Sequence, residues 1–210
     1  MFAALLFALA VSPATAQTST PLRADVLIGA GHEGRPQSCK RFPKRACNLG
    51  TAGERSYTPM VADEATRVLR AAGVSVARVP ADFTGSYVVA AAVFVHFDGN
   101  TVRCGSGASV GFHRPQDRDA ARAWRTLYSG YWSYRFQPDN FTTNLSNYYG
   151  FRQVRASDSA LVLELGELTC PQQRTWLEKR IKWEGRLIAH FLSARIHKGN
   201  VPAPSPAPRS

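Results

Sequence analysis

Three titratable side chains lie in or directly after short apolar runs of the chain, namely His32, His96 and Glu164. A polar group in such a place is costly to bury unless it has a partner. Two imidazoles and a carboxylate are the protein ligands of an open catalytic zinc site. Such a site leaves the fourth position to a water molecule, whose pKa the metal lowers to roughly 7. These residue types therefore fit metal-assisted hydrolysis.

Two carboxylates are available as the third ligand of such a site, Glu33 and Glu54. A further carboxylate, Glu164, would act as the base that takes a proton from the attacking water. The candidates are dispersed along the chain and do not form an H-E-x-x-H motif, so their spacing alone is a weak signal of a metal site.

The elements that must position these residues can be predicted from hydrophobic periodicity. Five apolar runs are typical of buried strands: Asp25–Ala30, Val74–Val79, Ala91–Phe97, the weaker Gly107–Phe112 and Ala160–Leu165. Three helices are predicted: one with Thr58 as N-cap and Pro59 at its first position, ending at Gly73, one from Pro115 to Tyr128, and one from Pro171 to near Gly199.

Because strands and helices alternate, we predict a single α/β domain with a mostly parallel central sheet and helices on both faces. In such sheets, functional groups collect at the carboxyl ends of the strands. His32 and His96 lie at or near predicted strand ends. The predicted topology therefore places the candidate residues along one edge of the sheet.

Both ends of the 210-residue chain are predicted to lie outside this domain. Residues 1–16 are apolar and uncharged and end in a small-x-small pattern, which predicts a signal peptide. Residues 198–210 are rich in proline and predict a disordered tail. The catalytic domain would span residues 23–197, with no transmembrane segment in the mature chain. We expect an exported monomer, periplasmic or extracellular.

Four cysteines, Cys39, Cys47, Cys104 and Cys170, are typical of an exported protein with two disulfides. Four thiolates could instead hold a structural zinc ion, but the chain contains no C-x₂-C pair. Four cysteines allow three pairings. The short loop that Cys39 and Cys47 would close favours that pair, together with Cys104–Cys170.

The net charge of +11 comes from 26 Lys and Arg residues against 15 Asp and Glu residues. Such a charge favours anionic surroundings, such as cell-wall polymers, phosphate-bearing lipid or nucleic acid. The arginines are spread over the whole chain and no nucleic-acid-binding module is recognisable, so nucleic acid ranks last among these partners. An anionic cell-wall surface is the partner that we expect.

Four segments resemble, in order, the sequence blocks of the zinc-dependent N-acetylmuramoyl-L-alanine amidases of the amidase-3 family. Val26–Gly34 is similar to the family's first strand and Gly-His-Gly-Gly turn, and Gly53-Glu54 precedes a helix that closes with Ala71–Val76. Val93–His96 is similar to the family's Ser-Ile-His-x-Asn strand, and Leu161–Gly166 to its Val-Glu-x-Gly-Phe segment.

This resemblance implies that His32, Glu54 and His96 bind one Zn²⁺ ion and that Glu164 is the catalytic carboxylate. Glu54 is preferred over Glu33 because the family places its ligand just before the first helix. The implied reaction is hydrolysis of the amide between N-acetylmuramic acid and L-alanine, with the stem peptide and glycan of peptidoglycan as substrate.

The sequence departs from the family pattern after His96, where Phe97–Asn100 replaces a shorter segment, and also at Glu167 and Cys170. The altered loop leaves open an alternative: a non-catalytic peptidoglycan-binding protein with a degenerate zinc site. Gly107–Gly111 also matches the G-x-S-x-G elbow of serine hydrolases. It lacks the directly following helix that this elbow requires.

Overall fold

The structure, a computed structural model, describes residues 20–205 apart from 36, 38 and 40–46. The predicted signal peptide therefore lies outside the described residues, as do residues 206–210 of the predicted tail. Six strands are described: β1 (Leu22–Arg23), β2 (Val26–Ala30), β3 (Val76–Val79), β4 (Tyr87–Asp98), β5 (Ser109–Gly111) and β6 (Val154–Glu167).

These strands form one sheet in the order β3-β2-β4-β6-β5, with β1 beside the start of β4. All neighbouring strands are parallel except β5, which runs antiparallel to β6. The two longest strands, β4 and β6, lie side by side in the middle, and most of their residues are buried. A continuous apolar run is what a parallel strand covered on both faces requires. The predicted α/β domain with a mostly parallel sheet is confirmed.

Five helices are described: α1 (Glu54–Ala71), α2 (Arg118–Ser129), α3 (Thr143–Ser146), α4 (Pro171–Glu178) and α5 (Ile181–Arg195). Apolar side chains of α1, α2, α4 and α5 share one core with one face of the sheet. The other face is covered more thinly, by α3 and the 3₁₀ turn Tyr149–Arg152 with their aromatic neighbours. Within the described residues, no helix is both long enough and apolar enough to cross a membrane.

Helix α1 begins at Glu54 rather than at the predicted Thr58–Pro59 boundary. The Thr58 hydroxyl does not cap the helix but donates to the carbonyl of Gly31, at 2.6 Å, and so ties α1 to the end of β2. The helix accommodates Pro59, whose missing N–H removes one bond of the helical ladder. Glu54 is the first residue of α1, and the Thr58–Gly31 hydrogen bond keeps this end of the helix beside the sheet.

The last predicted helix is two helices, α4 and α5, separated at Lys179 and Arg180. Arg180 has a φ of −126° and leaves the helical conformation. Its guanidinium group lies over the Trp176 ring, 4.5 Å from the ring centroid, and donates to the Trp176 carbonyl. The side chain therefore stabilises the break between the two helices.

One edge of β6 is occupied partly by side chains. The guanidinium of Arg114 donates to the carbonyl of Ala156 at 2.6 Å, and the amide of Ala160 donates to the Asp117 carboxylate at 3.3 Å. Arg114 and Asp117 are themselves ion-paired. This pair takes up backbone groups of β6 beyond the three-residue strand β5.

Both predicted disulfides, Cys39–Cys47 and Cys104–Cys170, are present. At the other end of the chain, residues 198–205, which the sequence placed in the tail, run along α5. The His190 Nδ1 lies 2.8 Å from the Val201 carbonyl, and the Trp183 indole donates to the Ser205 carbonyl at 2.7 Å.

Candidate metal centre

The three residues that the sequence offered as metal ligands meet at the carboxyl ends of β2 and β4. His32 follows β2 and has a φ of 59°, in the left-handed region that few residues other than glycine adopt. His96 lies near the end of β4, and Glu54 opens α1. Such strained positions cluster at functional sites.

The donor atoms of these three side chains face one point. Oε1 of Glu54 lies 3.1 Å from Nδ1 of His96 and 3.4 Å from Nε2 of His32. The two imidazole rings are 5.0 Å apart and nearly perpendicular. Both histidines are 7% exposed and Glu54 is 3% exposed. Within the described residues these three form the group whose atoms could hold a metal ion.

The Glu54 carboxylate is fixed by backbone donors from both sides of the site. The amide of Phe97 donates to Oε1 at 3.1 Å, and the amide of Thr51 donates to Oε2 at 3.0 Å. Gly50 passes so close that a Cβ there would lie 2.5 Å from Oε2 of Glu54 and 2.8 Å from the His32 ring. The loop before α1 therefore packs directly on the ligand group.

The charges of this group depend on one another. Burial alone would raise the pKa of Glu54, but the hydrogen bond and charge of His96, with the charge of His32, lower that pKa below its usual value. Burial lowers the pKa of His32, although the Glu54 carboxylate opposes this shift. An ionised carboxylate beside a neutral His32 imidazole is the protonation state in which such side chains bind a metal.

Glu164 lies on β6 directly opposite His96 of β4 in the strand register. Its Oε2 is buried and has no hydrogen-bond partner. Burial, together with the negative charges of Glu54 and Asp98, raises the pKa of Glu164 well above its usual range. A carboxyl group with a raised pKa beside a ligand cluster is typical of a catalytic acid or base.

All four predicted site residues, His32, Glu54, His96 and Glu164, line one open cleft of about 780 Å³. The remaining walls are mostly neutral and polar, with amide and hydroxyl side chains from the loops around the strand ends, and with the rings of Tyr148 and Tyr149. A cleft of this size can hold part of a polymeric substrate.

The alternative third ligand, Glu33, lies away from the other two. Its carboxylate accepts a hydrogen bond from Arg78 at 2.7 Å. Glu54, which lies beside both imidazoles, is therefore the carboxylate that joins His32 and His96 in the candidate metal site. The G-x-S-x-G match is likewise no nucleophile elbow, because its Ser109 lies within β5, buried, and no helix follows directly.

Three residues near the site were not predicted. The Tyr148 ring packs edge-on against His96, with ring centroids 5.3 Å apart. Asp98 is partly buried two residues after His96, and burial with the charges of Glu167 and Glu54 raises its pKa. Arg35 lines the cleft. Asp98 carried a signal in the sequence, as a carboxylate directly after a predicted strand, and Tyr148 lies in a segment rich in aromatic residues.

A scan against models of known protein families and a search of curated protein sequences gave no match. Solved structures do match. The catalytic domain of CwlV, an N-acetylmuramoyl-L-alanine amidase from Bacillus (Paenibacillus) polymyxa var. colistinus, superposes with a TM-score of 0.59 at 14% identity, covering 84% of this chain and 99% of that one.

The N-acetylmuramoyl-L-alanine amidase AmiC2 of Nostoc punctiforme gives a TM-score of 0.53 at 14% identity, with 84% of this chain and 95% of that one covered. The catalytic domain of the CD27L endolysin, which targets Clostridia difficile, gives 0.54 at 14% identity, with 83% and 98% covered. This chain has the fold of N-acetylmuramoyl-L-alanine amidases. The resemblance predicted from the sequence is therefore confirmed at the level of the fold.

The residues of this amidase fold suit a zinc ion. Two imidazoles and one carboxylate match the ligand set of catalytic zinc sites that keep one position open. The three side chains are buried and directed at one another, while the cleft leaves them accessible from one side. His32, Glu54 and His96 would hold the metal, and Glu164 lies beside them with a buried carboxyl oxygen, Oε2, that has no hydrogen-bond partner.

Proposed function

We propose that this protein is a zinc-dependent N-acetylmuramoyl-L-alanine amidase that cleaves the amide between N-acetylmuramic acid and L-alanine in peptidoglycan. The observation that carries the proposal is the buried group of His32, Glu54 and His96 at the strand ends of an amidase fold. Two disulfides and a cell-wall amidase fold support export of the protein to the compartment of that substrate.

The mechanism assigns separate tasks to the four residues. His32, Glu54 and His96 hold the metal. When bound there, the metal would supply Lewis-acid chemistry for the scissile carbonyl and the attacking water, and its charge would favour the ionised form of the nearby Glu164. Glu164 then takes the proton from the attacking water at its free carboxylate oxygen and delivers it to the leaving nitrogen of L-alanine.

The cleft walls supply contacts for the substrate. Asn144 and Asn147 lie one helical turn apart at α3, both are exposed, and both line the cleft. Amide side chains can donate to and accept from hydroxyl, acetamido and peptide groups alike. We assign the glycan and the first residues of the stem peptide to this neutral polar wall.

The test combines metal content with product analysis. Purified protein, loaded with one equivalent of zinc, should release stem peptides from peptidoglycan, and chelation should abolish the release. Glu164→Gln should retain wild-type zinc affinity but lose at least about 100-fold in rate, because a general acid–base group contributes roughly 10²–10⁴-fold. His96→Ala should lose both zinc and activity.

The control for these variants is Glu33→Gln, whose carboxylate is next to His32 in the chain but paired with Arg78. It should bind zinc and release peptides like wild type. Stem-peptide release that survives both chelation and Glu164→Gln would contradict the proposed mechanism. Stoichiometric zinc with wall binding but no peptide release would instead favour the non-catalytic alternative.

A further inference from the structure

The backbone carbonyl of Asn48 accepts hydrogen bonds from two side chains of the cleft. His32 Nδ1 lies 3.0 Å from this oxygen, and the guanidinium of Arg35 donates to it at 2.8 Å through Nη1. One carbonyl oxygen has two lone pairs and can satisfy both donors. Asn48 therefore connects a candidate metal ligand, His32, to the guanidinium group of Arg35.

The bond to Asn48 determines the tautomer of His32. A backbone carbonyl can only accept, so Nδ1 must carry the proton whenever this bond is made. The unprotonated Nε2 is then the atom directed at Glu54 Oε1, 3.4 Å away. The orientation and the tautomer of a histidine ligand are set in this way by the partner of its other nitrogen.

Two further contacts hold Asn48 in place. Arg35 is itself anchored by Asp82, to which its Nε donates at 3.1 Å. Asn48 follows Cys47, whose disulfide to Cys39 ties this part of the loop back to the segment that carries Arg35. The chain, the disulfide and the Arg35–Asn48 hydrogen bond thus close a small ring next to His32.

We propose that Arg35 is a positioning residue of the metal centre, which fixes His32 for zinc binding through the carbonyl of Asn48. The proposal rests on the proposed zinc site and goes beyond it, because Arg35 is neither a ligand nor a catalytic group. The Cys39–Cys47 disulfide supports the same carbonyl, so the oxidised loop and Arg35 act on the same histidine.

The experiment measures zinc affinity by competition with a chromophoric chelator. Loss of a group that supports a ligand typically costs about 10–100-fold in metal affinity, and we expect this range for Arg35→Met. Arg35→Lys keeps the charge and one donor for the Asn48 carbonyl, and should restore most of the affinity. The double variant Cys39→Ser/Cys47→Ser should lower the affinity in the same direction.

Arg78→Met is the matched control. Arg78 and Arg35 are similarly buried, with side-chain exposures of 15% and 19%, and each pairs with an acidic residue. Arg78 contacts Glu33, Asp63 and Val79, but none of the three candidate ligands. Arg78→Met should therefore change zinc affinity by less than about threefold, whatever its effect on stability.

A second readout separates positioning from general stability. In nitrogen-15 NMR of the zinc-free protein, His32 should be the Nδ1–H tautomer, with slow exchange of that proton. Arg35→Met should produce a tautomer mixture, and Arg78→Met should not. If wild type binds zinc and Arg35→Met binds it within threefold of wild type, this inference is wrong while the amidase proposal stands. If wild type binds no zinc, both are wrong.

Discussion

At the scale of single residues, burial raises the pKa of two carboxyl groups that serve different purposes, Glu164 and Glu184. Glu164 faces the cleft, whereas Glu184 of α5 lies in the core. The Tyr128 hydroxyl is 2.6 Å from the carbonyl of Leu165 and 2.9 Å from Glu184 Oε1. A hydroxyl has one proton, so when Tyr128 donates to the carbonyl, Glu184 must be protonated to donate to Tyr128. Burial raises the pKa of Glu184 to about 8.

This protonation makes stability depend on pH. Between the ordinary pKa of 4.5 and about 8, the folded state holds the Glu184 proton while the unfolded chain has lost it. The free energy of unfolding should then fall as pH rises through this window, by about 1.4 kcal/mol per pH unit from this group. Glu184→Gln cannot ionise, so its stability relative to wild type should rise by about 3 kcal/mol between pH 5.5 and 7.5.

Urea unfolding of both proteins across this pH range tests the prediction. Glu178→Gln is the control, because Glu178 is exposed and its hydrogen bonds to Tyr57 and Arg174 lower its pKa. The difference in free energy of unfolding between Glu178→Gln and wild type should stay nearly constant over the same pH range. A constant difference for Glu184→Gln would show that Glu184 is not protonated in the core.

Glu164 and Glu184 show what a sequence can reveal at this scale. Glu164 stood out because it interrupts an apolar strand. Glu184 had a signal too, since it lies three residues after Ile181 and four before Ile188, on the buried stripe of the helix. The hydrogen bond between His32 and the carbonyl of Asn48 could not be predicted, because only the path of the loop brings these two groups together.

At the scale of elements, the metal centre depends on the close approach of the ends of β2 and β4. Gly31 donates its amide to Val95 at 2.8 Å, and a Cβ at Gly31 would lie 2.4 Å from the His96 ring. Gly31→Ala should therefore displace His96 and weaken zinc binding by more than about tenfold. Overpacking of this kind typically costs about 1–3 kcal/mol of stability.

The same zinc titration, together with thermal unfolding, checks this prediction. Gly130→Ala is a suitable control, because Gly130 has a φ of −66° at the end of α2 and a Cβ there would meet only the Leu127 carbonyl, at 3.3 Å. It should leave zinc affinity unchanged. Wild-type affinity in Gly31→Ala would mean that His96 can move without cost.

Five of the six described strands, β2 to β6, were predictable as elements because each coincides with a largely buried apolar run, whereas the two exposed residues of β1 gave no such signal. The strand lengths were not predictable, since β4 and β6 extend into mixed sequence that is strand only because the two pair with each other. The start of α1 was missed because Pro59 is a common first residue of a helix. Here Gly53, with a φ of 99°, starts the helix earlier.

At the scale of the whole molecule, the two disulfides constrain the unfolded chain unequally. Cys104–Cys170 spans 66 residues and Cys39–Cys47 spans 8. In the chain-entropy model these correspond to about 4 and about 2.5 kcal/mol. Replacing the first pair by serine should lower the free energy of unfolding more than replacing the second, as measured by urea unfolding. Equal or reversed losses would contradict the model for this protein.

Zinc affinity should follow the opposite order. The longer bridge joins the loop after β4 to the start of α4, whereas the shorter one lies beside Asn48 and His32. Serine at Cys39 and Cys47 should therefore weaken zinc binding more, although it destabilises the fold less. We thus expect Cys104–Cys170 to contribute mainly to stability and Cys39–Cys47 mainly to zinc binding.

The Arg114–Asp117 ion pair on the open edge of β6 affects strand pairing between copies of this protein. Unpaired amides and carbonyls on a sheet edge can recruit a strand of another copy and begin aggregation. Arg114 and Asp117 occupy the Ala156 carbonyl and the Ala160 amide, and both side chains are charged. A second strand would have to displace this ion pair before it could dock, so we expect this edge to resist pairing with another copy of the chain.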